Sequence, residues 1–273
     1  VNAGIVDSKG VEVAADYTKY FGDFRLNVGG NFSFARNIIK EQLEVPRAYD
    51  YLYRTGKRVG QIFGYQAIGY FIDQADIENS PQQQFGEVAP GDVKYKDQNG
   101  DKVINEFDQV ALGYNAEVPE IYYGFNIGAE WKGIGFSASF QGVGNYTVWT
   151  TLDGLYMPLD GGNAISNHYY ANRWTPENPN ARYPRLSTES VQNNNESSSV
   201  WLENGSFLKL RNCELYYKLP YSWISKWHLN KAKVYVRGVD LFCWDHIKEI
   251  DPESLGSGTP TTSSINIGLS VGF

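Results

Sequence analysis

The sequence predicts an all-β fold, and within that class a transmembrane antiparallel β-barrel. Three observations carry the prediction. Apolar and polar residues alternate with a period of two along several segments, which gives a strand one apolar and one polar face. The clearest of these runs extend over about a dozen residues, where strands of soluble sheets usually have about five or six. A tilted strand crossing a bilayer needs about 9–11. Aromatic residues make up 15% of the 273, and 28 Gly stand beside a single Met, a balance that favours strands and turns over helices.

The elements follow in order. Val11, Val13, Ala15 and Tyr17 alternate with Glu12, Ala14, Asp16 and Thr18, and a turn at Phe21-Gly22-Asp23 leads on. Phe24, Leu26, Val28, Phe32 and Phe34 carry the apolar side of the next strand. A further strand is expected at 58–73. Ile121, Tyr123, Phe125, Ile127, Ala129 and Trp131 share one face, and after a tight hairpin at Lys132-Gly133 so do Ile134, Phe136, Ala138 and Phe140. The strand at 205–219 changes phase between Leu210 and Cys213, which predicts a bulge near Arg211-Asn212. Lys231, Lys233, Tyr235 and Arg237 give the strand at 230–243 a cationic face, suited to a water-filled lumen. The strand at 263–273 ends on Phe273. Barrels of the outer membrane commonly end on such an aromatic residue, which the assembly machinery reads, so Phe273 is expected to be that signal. Two long connections, about 75–120 and 144–204, stand against the short turns near 22 and 133. That asymmetry matches barrels with long extracellular loops.

Charge and motif content exclude several functions. Lys and Arg number 24 against 31 Asp and Glu, a net charge of −7, which disfavours phosphate-neutralising nucleic-acid binding. Mean hydropathy is −0.43, and no apolar run approaches the ~18 residues of a membrane helix. Cys213 and Cys243 read as small apolar wall residues, and His168, His228 and His246 show no paired metal spacing. No nucleophile elbow, phosphate loop or dinucleotide fingerprint occurs, so an enzyme is not expected.

One loop has the spacing of a calcium site. In Asp97 to Asp108, the oxygen donors Asp97, Asn99 and Asp101 fall at positions 1, 3 and 5 of a twelve-residue register. The Val103 carbonyl, Asn105 and Asp108 follow at 7, 9 and 12. Ca²⁺ takes six to eight oxygens. Lys102 departs from the glycine usual at position 6, and Asp108 from the usual Glu. A structural calcium ion is one expectation, and a metal-free Asn-Gly turn the other.

Several segments resemble the SusC/RagA family of TonB-linked outer-membrane transporters of the Bacteroidetes lineage. They are Gly91-Asp92-Val93-Lys94-Tyr95-Lys96-Asp97-Gln98-Asn99-Gly100-Asp101, Gly124-Phe125-Asn126, Phe140-Gln141-Gly142, and Arg173-Trp174-Thr175-Pro176-Glu177-Asn178-Pro179-Asn180-Ala181 with Tyr183-Pro184-Arg185-Leu186. The series continues with Ser206 to Asn212 ending at Leu219-Pro220, and with Val234 to Phe242; Asn2-Ala3-Gly4 with Gly10-Val11-Glu12 resembles the start of the family's C-terminal barrel portion. The resemblance spans nearly the whole chain, in the family's order. It implies that residues 1–273 are the C-terminal portion of a 22-stranded receptor barrel, roughly its last eight to ten strands, with the plug domain elsewhere. It implies TonB-dependent import of an oligosaccharide or a peptide, a SusD-like surface lipoprotein as partner, and a TonB complex acting through the missing N-terminal part. A passive porin-like barrel and a secreted carbohydrate-binding β-sandwich are the alternatives.

Aromatics divide into two sets. Tyr122, Tyr123, Trp131, Tyr216, Tyr217, Tyr221, Trp223 and Trp227 lie near strand ends, where interfacial girdles form in contact with lipid. Tyr146, Trp149, Tyr156, Tyr169, Tyr170 and Trp174 lie in the second long connection, where they could pack the loop or contact substrate or lid.

Overall fold

The computed structural model describes residues 3–115, 117–150, 152, 154–159, 162–247, 251–254 and 261–273. Asn2 lies outside them. Seven strands form one antiparallel sheet, each paired with the next in sequence: β1 (Gly4–Phe21), β2 (Phe24–Gln42), β3 (Ile121–Trp131), β4 (Ile134–Gly144), β5 (Phe207–Lys218), β6 (Lys231–Asp245) and β7 (Ser264–Gly272). β1 and β7 are the two edges, so the sheet is an open wall and not a closed barrel.

The wall has fewer strands than the eight to ten expected, because 58–73 does not join it. Gly60 (φ 72°) and Gly69 (φ 135°) interrupt its extended backbone. The segment splits into Ile62–Tyr65, paired with Gln109–Leu112, and Ala67–Tyr70, paired with Val93–Tyr95. Both belong to the long connections.

Register puts the apolar alternation on one side. Tyr17, Val28 and Ile127 lie opposite one another across β1–β3, and Leu215, Val236 and Ile267 across β5–β7. All six are exposed. A soluble sandwich would cover such a face with a second sheet; here the wall is a single layer. Removing each of these side chains from water is worth about 1.5–3 kcal/mol, and acyl chains supply that environment.

The other face is polar and hydrogen-bonded across strands. Asn27 donates to Thr18 at 2.9 Å and Asn126 donates to Asn27 at 3.2 Å. Glu214 pairs with Lys233 at 2.8 Å and with Arg237. Tyr216 lies opposite Gly135, where a Cβ would meet the ring at 2.1 Å, and its hydroxyl donates to Glu130 at 2.7 Å. Tyr216 is therefore a polar-face residue and not part of a lipid girdle. Tyr122, opposite Ser33, lies on the same face. Trp131, Tyr221, Trp223 and Trp227 remain exposed at the short-turn end, where a girdle belongs. Cys213 sits in the apolar row opposite Ala138, but Cys243 lies opposite Lys209 on the polar face, contrary to its reading as an apolar wall residue.

The two ends of the wall differ. At one end, β1–β2 turns at Gly22 (φ 61°) and β3–β4 at Lys132 (φ 47°) and Gly133 (φ 88°), the paired positive φ of a tight hairpin. There β5–β6 is joined through the short helix α1 (Tyr221–Ile224). The described residues of the connections 43–120, 145–206 and 246–263 all lie at the opposite end. The first begins earlier than the expected residue 75. The expected bulge is present: register shifts between Leu210 and Asn212 against β6 and between Ser139 and Phe140 against β5.

Candidate functional site

The candidate site comprises the polar face of the wall and the described connections at its long-loop end. Connections 43–120 and 145–206 fold together into one cap with its own core. Tyr65, Val93, Tyr95, Ile104, Leu155, Tyr169, Tyr183, Val200 and Trp201 are buried in it, joined to the wall through Val143, Tyr146 and Phe207.

The segments that carry the family resemblance meet in this core. Gly91 (φ 91°) lies under Trp174, where a Cβ would be 2.4 Å from the indole. Arg185 N–H donates to the Gly91 carbonyl at 2.9 Å. Asp92 is fully buried, and its carboxylate accepts from Arg185 Nε at 2.7 Å, Asn194 Nδ2 at 2.8 Å and the Ala89 amide at 2.8 Å. A buried carboxylate needs such a set of donors to offset its lost hydration.

The polar run 192–197 has the composition of an exposed loop, yet Asn193 and Asn194 are buried. Asn194 Oδ1 accepts from the Val93 amide at 2.8 Å, and Asn193 Nδ2 donates to the Val93 carbonyl at 2.8 Å. Gln83 donates to Asn193 at 2.5 Å and accepts from the Tyr95 amide at 2.7 Å. Tyr95 Oη donates to the Asn193 carbonyl, and Trp201 Nε1 to that of Asn194. Two asparagines of one connection thus act as a pairing edge for a strand of the other. Composition hid them, because an amide side chain matches backbone donors and acceptors only when tertiary contact supplies the partner.

The six loop aromatics do not form one ligand surface. Tyr146, Tyr169 and Trp174 are buried and pack the cap, one of the two roles expected of them. Tyr169 stacks on Tyr183 with ring centroids 4.7 Å apart. Tyr156 is half-buried, edge-on to Trp201, and donates to the Asn195 carbonyl at 2.7 Å. Trp149 is half-buried beside the core. Tyr170 alone of the six is exposed, under the Arg173 guanidinium.

In the Asp97–Asp108 loop, Asp97 accepts from the amides of Gly100 and Lys102 at 2.6 and 2.9 Å, Asn99 from Asp101 at 2.9 Å, and Asp101 from Val103 at 2.8 Å. Lys102 adopts φ 67°, so the left-handed turn usually given to glycine is made by a lysine. Asn105 accepts from the Phe107 amide, and buried Asp108 accepts from the amides of Gln98 and Asn105 at 2.7 and 2.9 Å. Among the described residues, no three His, Cys, Asp or Glu side chains converge as metal ligands. An ion here would draw on Asn and carbonyl oxygens as well as carboxylates.

Two carboxylates fix the cap to the wall. Glu120 accepts from Arg36 at 2.8 and 2.9 Å, from Arg58, and from Asn145 at 3.0 Å. Burial pushes its carboxyl up, but the hydrogen bonds from Arg36, Arg58 and Asn145 outweigh that and hold it below the usual range. Glu44 accepts from the amides of Arg54 and Thr55 at 2.9 and 3.1 Å, from the Thr55 hydroxyl and from Gln42. There too burial is outweighed, and the pKa is held down at about 2. Neither residue stands out in the sequence: Glu120 acts through partners 25 to 84 positions away, and Glu44 through the backbone of a turn about ten residues on.

Comparison with known proteins agrees with this architecture. No family model matches the chain. TonB-dependent receptor P26 of Formosa agariphila is 29% identical over 80% of the chain and 23% of its own length. TonB-dependent receptor P3 of the same organism is 26% identical over 99% of the chain and 28% of its own. Solved structures of the RagAB peptide transporter and of the RagAB peptide importer in its open-open state superpose with TM-scores of 0.72 and 0.70, at 20% and 19% identity, over 99% of this chain and 29% of theirs. The chain spans less than a third of the length of the curated relatives it matches. The resemblance to TonB-linked transporters holds across the chain, and its wall is that of an outer-membrane β-barrel.

Proposed function

We propose that this chain forms part of the wall and the outer cap of a TonB-dependent importer that takes a large nutrient, an oligosaccharide or a peptide, across the outer membrane. The observation that carries the reading is the two-faced single-layer wall with all its long connections at one end. The bare apolar side suits lipid, and the polar, ion-paired side suits a water-filled path. The coarser part, import of nutrients, is supported by the named relatives. Growth of the host on its cargo should vanish when TonB is deleted. Unimpaired growth would favour a passive porin instead.

The cap is proposed as the face that meets a SusD-like lipoprotein, with the exposed Tyr170–Arg173 region as its accessible aromatic. Deleting 145–206 from the whole protein should abolish co-purification of the lipoprotein, and unchanged co-purification would remove this role. The Asp97–Asp108 loop is proposed to take Ca²⁺ as a structural ion. Support comes from its oxygen spacing and from the left-handed turn at Lys102. Calorimetry on calcium-depleted protein should show binding at or below about millimolar Ca²⁺, and absence of heat would overturn it.

A further inference from the structure

The polar face carries one node whose construction exceeds what wall pairing needs. At the β5–β6 bulge, Arg211 and Asn212 both turn to the polar side, and opposite them Asp240 adopts φ 48°. A left-handed aspartate inside a strand is uncommon, and backbone of this kind collects at functional sites. Arg211 Nη1 reaches Asp240 at 3.0 Å, and its Nε donates to Gln141 at 2.9 Å. Beside it stands Lys209, whose side chain is 3% exposed.

What covers these cations is Asp251, Glu253 and Thr261 of the β6–β7 connection. Lys209 Nζ donates to Asp251 at 2.8 Å, to Glu253 at 2.7 Å and to the Thr261 hydroxyl at 2.9 Å. Arg211 also holds both oxygens of Glu253, one at 2.9 Å. The hydrogen bonds of the 251–254 backbone are local: the Glu253 amide donates to the Asp251 carboxylate and the Ser254 amide to the Asp251 carbonyl. Asp251 and Glu253 therefore reach the wall by side-chain ion pairs. Without them, the one ion pair left to Lys209 and Arg211 among the described residues is that of Arg211 with Asp240.

The geometry points to a carboxylate-binding site on the lumen wall, formed by Lys209 and Arg211 and filled in this structure by the chain's own Asp251 and Glu253. The ligand class is a carboxylate carried by the transported chain, from an acidic peptide or an acidic sugar. Cargo and connection would compete for the same cations, so arrival of an acidic cargo would free the connection from the wall. This inference rests on the reading that the polar face lines the transport path.

The test uses the full-length transporter in detergent, with oligoglutamate and oligogalacturonate as probes and their methyl esters as neutral controls. The double variant D251N/E253Q removes the internal competitor. It should bind at least one acidic probe about tenfold more tightly and the esters no more tightly. Adding K209M should abolish the gain. Whichever acidic probe gains identifies the source of the carboxylate. Equal affinity in wild type and D251N/E253Q, or an equal gain for the esters, would overturn the proposal. If the double variant does not fold, hydrogen exchange on the wild type decides. Saturating acidic probe should accelerate exchange of the Thr261 amide, which donates to Asp251, and no change would overturn the site. Binding is read without TonB, so failure of TonB-dependent growth would strike the transport reading alone.

Discussion

Asp92 shows how much a single buried charge can organise. It accepts from Arg185 and Asn194 of one connection while sitting in the other. Replacing it by Asn leaves Arg185 without its counter-charge and turns one acceptor into a donor. D92N should destabilise the cap by about 3 kcal/mol, read as faster hydrogen exchange at Val93–Tyr95 with the wall strands unchanged. Glu44 makes a different prediction. Its carboxyl is protonated at about 2 in the folded cap against an ordinary 4.5. A depressed folded value means stability that is whole above the unfolded value and is lost as the pH falls through the folded one. Cap protection near residues 44–55 should therefore decline between pH 4.5 and about 2, and E44Q should lose that acid sensitivity while starting from a weaker cap.

At the scale of the strand, the two faces should answer differently to the same substitution. Ile267 is exposed in the apolar row, and its neighbour Asn266 lies on the polar face opposite Arg237. Arg at 267 should cost about 2–4 kcal/mol if the position lies near the bilayer midplane, read by denaturant unfolding of the lipid-embedded protein; Arg at 266 should cost far less. The period-two pattern made β1 to β4 and β7 legible from sequence, because a one-residue slip would move every side chain to the wrong face. The phase change gave the bulge at Arg211 for the same reason. The cap was not legible. Residues 58–73 have enough apolar content for a strand, and only the glycines at 60 and 69 turn it aside. The Asn193–Asn194 edge has the composition of an exposed loop, and its partners lie about a hundred positions away. Replacing both by Ala should leave the Val93 amide without its Asn194 acceptor, and proteolysis at 186–197 should then outpace that of the parent.

For the molecule as a whole, the open wall decides behaviour. Among the described residues the outward N–H and C=O groups of β1 and β7 have no partner strand, and in lipid each unpaired group costs several kcal/mol. Produced alone, residues 1–273 should not form the compact, heat-modifiable species typical of closed barrels on gel electrophoresis. Supplying the remainder of the barrel as a separate chain should restore it. The candidate site was only partly legible at this scale. The cationic strand at Lys231, Lys233 and Arg237 is visible in the sequence, whereas Asp251 and Glu253 come to Lys209 only once β5, β6 and the connection after them are in place.

The asparagine edge also has a consequence for the order of biogenesis. The Val93 amide and Asn194 are separated by 101 positions, and they leave the sheet from different hairpins, one between β2 and β3, the other between β4 and β5. The first connection has pairings of its own, but the Asn193–Asn194 edge needs both. The interlock forms only when both have been delivered to the same side of the bilayer, and long-range contacts of this kind are slow to form. Once closed, it is a folded body anchored at four strand ends, too bulky to be drawn back between lipids. The cap should therefore act as a pawl on insertion, holding β2 to β5 in place once it has closed.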